Sequence, residues 1–394
     1  MKLSILGLGY VGCVSAVCLA HEGHEVIGVD VNQLKVDLIN QGRSPIIEQG
    51  LPELLQGLKQ GEPGPGSLLA TADARRAVQD TEATLLCVGT PSRDNGSLNL
   101  DYVQRSAREV GAGLKAKAEY HVLVVRSTLL PGSIESQIIP ELEYASGKKA
   151  GRDFGLVMNP EFLREGTSIQ DFYDPPFTVI GALDERSADT VRKVYAFLDA
   201  PLEVTDLRSA EMLKYACNAF HALKIGFANE VGALCKAAGI DSHRVMELFC
   251  RDAKLNISPA YLKPGFAFGG SCLPKDLRAV TYLAKHRDVR TPLLDSIMES
   301  NRIHINRALN SILRRGKKKL GILGLSFKPG TDDLRESPLV ILAETLLGKG
   351  FDIRIYDRNV SLAGLFGANK AYIEQEIPHI SSLMLPNLED VLEH

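Results

Sequence analysis

In GFAFGGSCLPKD, residues 265–276, one cysteine follows a glycine pair and precedes Lys275 and Asp276. Ser271 can cap a helix that starts at Cys272, and Pro274 is tolerated in such a helix's first turn. A thiol at a helix N-terminus has its thiolate stabilised by free N–H groups and by the helix dipole. Asp276 lies one turn on, on the same face. Gly269 and Gly270 are read as letting another molecule approach the backbone, which makes Cys272 a candidate nucleophile. Cys18, Cys87 and Cys217 lie on apolar elements and read as inert core thiols.

Gly7-Leu8-Gly9-Tyr10-Val11-Gly12 is G-x-G-x-x-G, following the run KLSIL and opening a helical period. That spacing gives a tight turn, close backbone approach to a pyrophosphate and a helix N-terminus facing its charge. Asp30 ends the next strand, where a carboxylate accepts ribose hydroxyls and repels a 2′-phosphate, so NAD is expected rather than NADP. Lys214 and Asn218 are spaced i,i+4 on a long apolar helical stretch, with His221 beside them. The lysine either snorkels to water or is there for its charge. In NPEFLREG, Asn159 is expected to cap a helix with Pro160 at its first position, leaving Glu161 and Glu165 one turn apart. Thr128 follows the strand VLVV, at the sheet edge where doubly wound folds bind ligands.

These residues need a scaffold, and 394 of them suggest two or three domains. Apolar runs of four to six residues alternate with helical periods through TLLCVG, HVLVVRS, FGLVMN and FTVIGAL, which predicts an α/β fold with a mostly parallel sheet covered on both faces. GEPGPGS, residues 61–67, reads as a surface insertion. From Ser209 one long helix runs to a C-cap at Gly239. A second unit follows: KKKLGILGLSF, a helix opened by Ser337-Pro338, then a strand ending in Asp357, echoing the unit that ends in Asp30. Three domains are expected, 1–205, 206–305 and 306–394. A net charge of -3 gives no reason to expect nucleic acid or an anionic membrane. No apolar run is long enough to span a bilayer. Seven cysteines without C-x-x-C pairing suit a reducing, cytoplasmic compartment. His21 and His24 read as solvated side chains at a helix end, and no metal is expected.

GLGYVG, VIGVD, CVGTPS, RSTLLPG, NPEFLREG, KYACNAFHALKIGFANE, GFAFGGSCLPKD and SFKPGTDDLRESP, in this order, resemble the UDP-glucose/GDP-mannose dehydrogenase family of nucleotide-sugar 6-dehydrogenases. The resemblance implies an N-terminal Rossmann domain, a central helical dimerisation domain and a second Rossmann-like α/β domain, incomplete at His394. It implies oxidation of a sugar C6 alcohol to a carboxylate with NAD, the cysteine holding the intermediate aldehyde. Catalytic residues carried over are Cys272, Lys214, Asn218, Asp276, Glu161 and Thr128. Beside Gly7, Gly9 and Gly12, the cofactor positions are Tyr10, Val11, Asp30, Lys35, Thr90, Thr128, Glu165, Lys275 and Arg335. The sugar-nucleotide positions are Glu165, Lys214, Asn218, His221, Asn229, Tyr261, Lys263, Phe266, Gly269 and Lys328. SPIIEQGL, YACNAFHA and FAFGGSC resemble the members acting on GDP-mannose, with UDP-glucose as the alternative; Ala260 and Lys263 depart from that pattern, which often carries tyrosine and arginine. A homodimer or higher homo-oligomer with shared active sites is implied. A two-electron hydroxyacid dehydrogenase, giving one NADH per substrate, is the more distant alternative.

Overall fold

The computed structural model describes residues 1–60, 66–93, 95, 97–261, 265–270, 272–327, 334–358, 360 and 383–394. Most of the expected surface insertion, together with Lys263, Ser271 and Lys328, lies outside the described residues. The chain divides into two compact units, Met1–Phe220 and His221–His394.

The first unit contains β1 (Lys2–Leu6), α1 (Tyr10–His21), β2 (Glu25–Val29), α2 (Gln33–Asn40), α3 (Leu51–Gln60), β3 (Ser67–Thr71), α4 (Ala74–Gln79), β4 (Ala83–Leu86), α5 (Asp101–Lys115) and β5 (Val122–Val125). A π-helical turn (Ile134–Ile138) then leads into α6 (Ile139–Ser146), β6 (Gly155–Met158), α7 (Ser168–Tyr173), β7 (Thr178–Ala182), α8 (Glu185–Val194) and β8 (Leu202–Thr205). The eight strands lie in the order β3-β2-β1-β4-β5-β6-β7-β8, parallel throughout except where β6 meets β7. Why the runs are continuously apolar is visible in β5. Val122 and Val124 enter the core beneath α1, α3, α7 and α8, while Leu123 and Val125 enter the core beneath α4, α5 and α6. Both faces of the sheet are buried, so no polar alternation survives.

α9 (Leu207–Ala238) follows as one helix of 32 residues, closed by Gly239 at φ 72°. The second unit continues with α10 (Ser242–Cys250), α11 (Leu273–His286), α12 (Pro292–Leu313), β9 (Lys319–Leu323), α13 (Pro338–Gly348), β10 (Asp352–Tyr356) and a short helix Leu388–Leu392. Ser337 caps α13 as expected, its hydroxyl accepting from Leu339 N–H, with Pro338 in the first turn.

The echo between the two units extends to individual hydrogen bonds. Gly7 N–H donates to Val29 O at 2.8 Å and Gly324 N–H to Tyr356 O at 2.7 Å, with φ of 94° and 90° at the two glycines. The next amide then meets the strand-ending carboxylate: Leu8 N–H to Asp30 Oδ2 at 2.9 Å, Leu325 N–H to Asp357 Oδ2 at 2.7 Å. A left-handed glycine turns the chain and an aspartate ties the turn to the neighbouring strand.

His24 is not solvated, because the chain entering β2 turns it inward. It is buried, its Nε2 lies 3.1 Å from Val194 O, and its Nδ1 lies 3.2 Å from the N-terminal amine. A second buried imidazole, His121, meets Thr84 Oγ1 at 2.8 Å and Thr81 O at 3.0 Å in a hydroxyl network with Ser4. Burial, with the nearby Lys117 charge, lowers it from 6.5 to about 3. From pH 6.5 downward the unfolded chain therefore takes up a proton that the folded chain refuses until near pH 3. This contribution is complete above pH 6.5 and should fall away on acidification by about 1.4 kcal/mol per pH unit. Denaturant midpoints followed from pH 7 to 4 should decline more steeply in the parent than in His121→Gln; parallel curves would refute the assignment.

Candidate active site

β1 delivers Gly7, and α1 begins at Tyr10 with Gly9 as an N-cap that makes no side-chain cap bond. The first-turn amides are thereby left to an anion. A Cβ on Gly12 would lie 1.8 Å from Gly7 O, whereas one on Gly9 meets nothing within 4 Å. The inner glycine is required for packing and the outer one leaves the turn open, as a bound pyrophosphate requires. A cleft of about 270 Å³ joins Gly7, Gly9, Asp30 and Lys35 to Cys87, Val88 and Gly89. Asp30 also accepts from Asn32 N–H at 2.9 Å and pairs with Lys35 at 3.3 Å. Val11 is the second residue of α1, and Thr90 Oγ1 donates to Thr128 O at 3.1 Å between the ends of β4 and β5. The residues present fit a dinucleotide.

Tyr10 donates its hydroxyl to Glu48, a buried carboxylate inside SPIIEQGL. Glu48 also accepts from Gly166 N–H at 2.8 Å and Ser168 N–H at 3.0 Å. Burial works to raise its pKa, but these hydrogen bonds together outweigh burial and hold it below the usual carboxylate range. Glu48 thus ties the glycine turn to the loop bearing Glu161 and the exposed Glu165. No spacing in the sequence marked it.

That loop is not a helix start. The chain after β6 is irregular until Ser168, where α7 begins, so Asn159 caps nothing. Its buried amide instead accepts from Arg126 and from Tyr195 at 2.8 Å each and donates to Val179 O at 2.8 Å. A side chain so satisfied by β5, β7 and α8 neighbours cannot also turn back to its own amides. Glu161 then reaches α9: its carboxylate pairs with Lys214 Nζ at 2.9 Å, and Lys214 donates to Glu161 O at 2.5 Å. Lys214 is buried and does not snorkel. One turn before it, buried Glu211 accepts from Gly132 N–H at 2.5 Å and Ile134 N–H at 3.0 Å. α9 therefore fixes both edge loops, the one with Thr128 and the one with Glu161, and carries Asn218 exposed one turn beyond Lys214.

In the second unit Cys272 is itself the N-cap of α11 and is exposed, so the helix starts one residue later than expected. Asp276 N–H donates to Cys272 O at 2.9 Å, and the Asp276 carboxylate pairs with Lys275 at 2.8 Å, which raises the lysine's pKa. Gly269 and Gly270 are buried against their own chain. A Cβ on the first would lie 2.2 Å from Glu336 O, and one on the second 2.8 Å from the Phe327 ring. Part of the close approach read from this glycine pair is thus made by the protein's own chain. Arg335 precedes Glu336, whose carboxylate binds Arg278 of α11 through two hydrogen bonds of 2.6 and 2.9 Å. His221 and Asn229 are exposed on α9, as is Phe266 beside the cysteine loop. Tyr261 is exposed in the left-handed region, φ 63°, a conformation non-glycine residues rarely keep without cause.

Three models of one family match the chain in order: the NAD binding domain of the UDP-glucose/GDP-mannose dehydrogenase family over residues 1–199, its central domain over 208–303, and its UDP binding domain over 321–377. A GDP-mannose 6-dehydrogenase of Pseudomonas aeruginosa is 54% identical over 392 residues, covering 100% of this chain and 89% of the relative. A UDP-glucose 6-dehydrogenase of Haloferax volcanii is 39% identical, over 91% of this chain and 83% of the relative. The crystal structure of a ternary complex of GDP-mannose dehydrogenase from Pseudomonas aeruginosa superposes with a TM-score of 0.96 at 54% identity, covering 100% of this chain and 89% of that one. With its glycine turn inside the matched NAD binding domain and its cysteine helix inside the matched central domain, this chain belongs to the UDP-glucose/GDP-mannose dehydrogenase family.

Proposed function

We propose that the protein is a cytoplasmic, NAD-dependent GDP-mannose 6-dehydrogenase, converting the C6 alcohol to the carboxylate of GDP-mannuronate. The observation that carries this reading is an exposed thiol at the first turn of a 14-residue helix, in a chain that also holds a dinucleotide turn. Hydride transfer from an alcohol has no use for a thiol, whereas in a second oxidation the aldehyde must first gain an oxygen or sulfur substituent at C6, which a thiolate can supply. NAD supplies the acceptor for both oxidations.

The roles follow from side-chain chemistry. Lys214, a buried ammonium, supports the negative charge that develops on O6, and Asn218 holds the same oxygen. The Cys272 thiolate adds to the aldehyde C6, forming a C–S bond while the carbonyl oxygen takes a proton. Loss of the second hydride leaves a thioester, and water displaces the sulfur to release the carboxylate and restore the thiolate. Glu161 and Asp276 handle the protons of these steps, and Thr128 positions the water. In sum, one alcohol, two NAD and one water give one carboxylate, two NADH and three protons.

The glycine turn with Tyr10, Val11, Asp30, Lys35, Thr90, Thr128 and Glu165 binds the cofactor, joined by Lys275 and Arg335. Glu165, Lys214, Asn218, His221, Asn229, Tyr261, Lys263, Phe266, Gly269 and Lys328 bind the sugar nucleotide. A homodimer is part of this reading, supported by Leu223 and Ile225, which α9 leaves 46% and 63% exposed. Among the described residues no helix is long and apolar enough to cross a membrane.

The match of residues 321–377 to a UDP binding domain keeps UDP-glucose as the second reading. NADH formation decides between them. GDP-mannose should yield two NADH per sugar, and GDP should inhibit competitively where UDP hardly does. Turnover of UDP-glucose alone would move the assignment, and one NADH per sugar would sink the four-electron reaction.

A further inference from the structure

We propose that Asn301, on α12, is a positioning residue that sets where the Cys272 thiol stands; this rests on the reading that Cys272 carries the second oxidation. The Asn301 amide holds both polar groups of Phe268, four residues before the thiol. Its Oδ1 accepts from Phe268 N–H at 3.0 Å and its Nδ2 donates to Phe268 O at 2.8 Å. One turn along α12, His304 Nε2 lies 2.8 Å from Gly265 O, and its ring meets Phe266 at 6.3 Å between centroids. Further along the loop, Glu336 O and Pro338 close on Gly269, and the Phe327 ring closes on Gly270. Glu336 is itself left-handed, φ 51°, while its carboxylate grips Arg278 of α11.

The chain needs such ties. A run of the composition GFAF-GG loses about 1–2 kcal/mol of backbone freedom per residue when ordered, and glycine loses most. Packing at Gly269 and Gly270 fixes the end of the run, and Asn301 gives the middle of it a paired donor and acceptor. An attacking atom misplaced by about 1 Å loses on the order of 10²-fold in rate. The first oxidation does not use the thiol, so a loosened loop should slow the second oxidation and spare the first.

The test measures NADH per GDP-mannose, and aldehyde trapped by hydroxylamine, in the parent, Asn301→Ala and Asn301→Asp. The alanine variant loses both contacts. The aspartate variant keeps the acceptor for Phe268 N–H, loses the donor and fits the same space. Both should lose the second oxidation by about 10²-fold, release trappable aldehyde, and give fewer than two NADH per sugar, with the NAD KM changed by less than about twofold. A lower kcat at an unchanged two NADH per sugar would mean a merely structural residue and overturn the proposal, as would unchanged kinetics. Hydrogen exchange of the Phe268 amide in the parent protein is a check without any variant: slow exchange is expected, and fast exchange overturns it. A parent enzyme that makes one NADH, or a fully active Cys272→Ser, would instead remove the underlying reading before any Asn301 variant is made.

Discussion

Cys272→Ser is expected to abolish four-electron turnover while leaving the fold at least as stable as before. The side chain is exposed, so no packing is lost, and it is the N-cap of α11 without a side-chain cap bond. Serine is a preferred residue at that position, so the substitution should hold the melting temperature or raise it slightly. Chemistry moves the other way. Sulfur is the stronger nucleophile and reacts as thiolate, whereas a serine hydroxyl attacks only when an adjacent base removes its proton. Turnover to the carboxylate should fall by several orders of magnitude, and residual oxidation should stop at the aldehyde. The other thiols sharpen the comparison. Burial pushes Cys13 and Cys18, both fully buried, up to about 12, so they should resist alkylation. Cys250 is exposed like Cys272 and should label, yet Cys250→Ser should leave activity unchanged. A Cys272→Ser protein that still makes two NADH per sugar near the parent rate would falsify the covalent mechanism.

What the sequence disclosed and what it hid divide along the range of the contacts. Gly7, Leu8 and Asp30 were legible because their interactions close within one strand-turn-helix-strand unit of about 30 residues, whose spacing is written in the chain. The same holds for Asp357 and for the Ser337 cap. Asn159 misled for the opposite reason. Asn-Pro is a local helix-start signal, but its amide is claimed by Arg126, Tyr195 and Val179, 33, 36 and 20 positions away. Tertiary partners overrode the local preference. Gly269 and Gly270 were recognised as a close-approach site while the approaching group, Glu336 and Phe327 of the same chain, could not be named. Glu48, although it lies within SPIIEQGL, and Asn301 were not singled out by residue type or spacing. Each is a single polar residue whose partners have no periodic or motif relation to it, and only the folded chain brings them together.

Lys214 stands between these cases: the choice between snorkelling and a working charge was open in the sequence, and its buried pairing with Glu161 allows the two consequences of that charge to be measured apart. The side chains are 9% and 12% exposed, the ion pair is 2.9 Å long, and the Phe162 ring lies 5.3 Å from the ammonium. Removing one partner strands the other charge in a poorly solvated place, which costs about 3–5 kcal/mol. Lys214→Met and Glu161→Gln should each be destabilised on that scale. The double variant should recover most of the loss, because two neutral groups of similar size replace two charges that needed each other. Activity should not follow. If Lys214 supports the charge developing on O6, the double variant remains slow by at least about 10²–10³-fold, the usual cost of losing one oxyanion donor, with the loss of the Glu161 carboxylate added to it. Lys214→Arg should also stay impaired, since a planar guanidinium cannot occupy the point between the Glu161 carboxylate and its carbonyl. Denaturant midpoints and kcat at saturating GDP-mannose, read side by side, separate the alternatives. Recovery of kcat together with stability in the double variant would leave the pair a structural clasp and remove Lys214 from the chemistry.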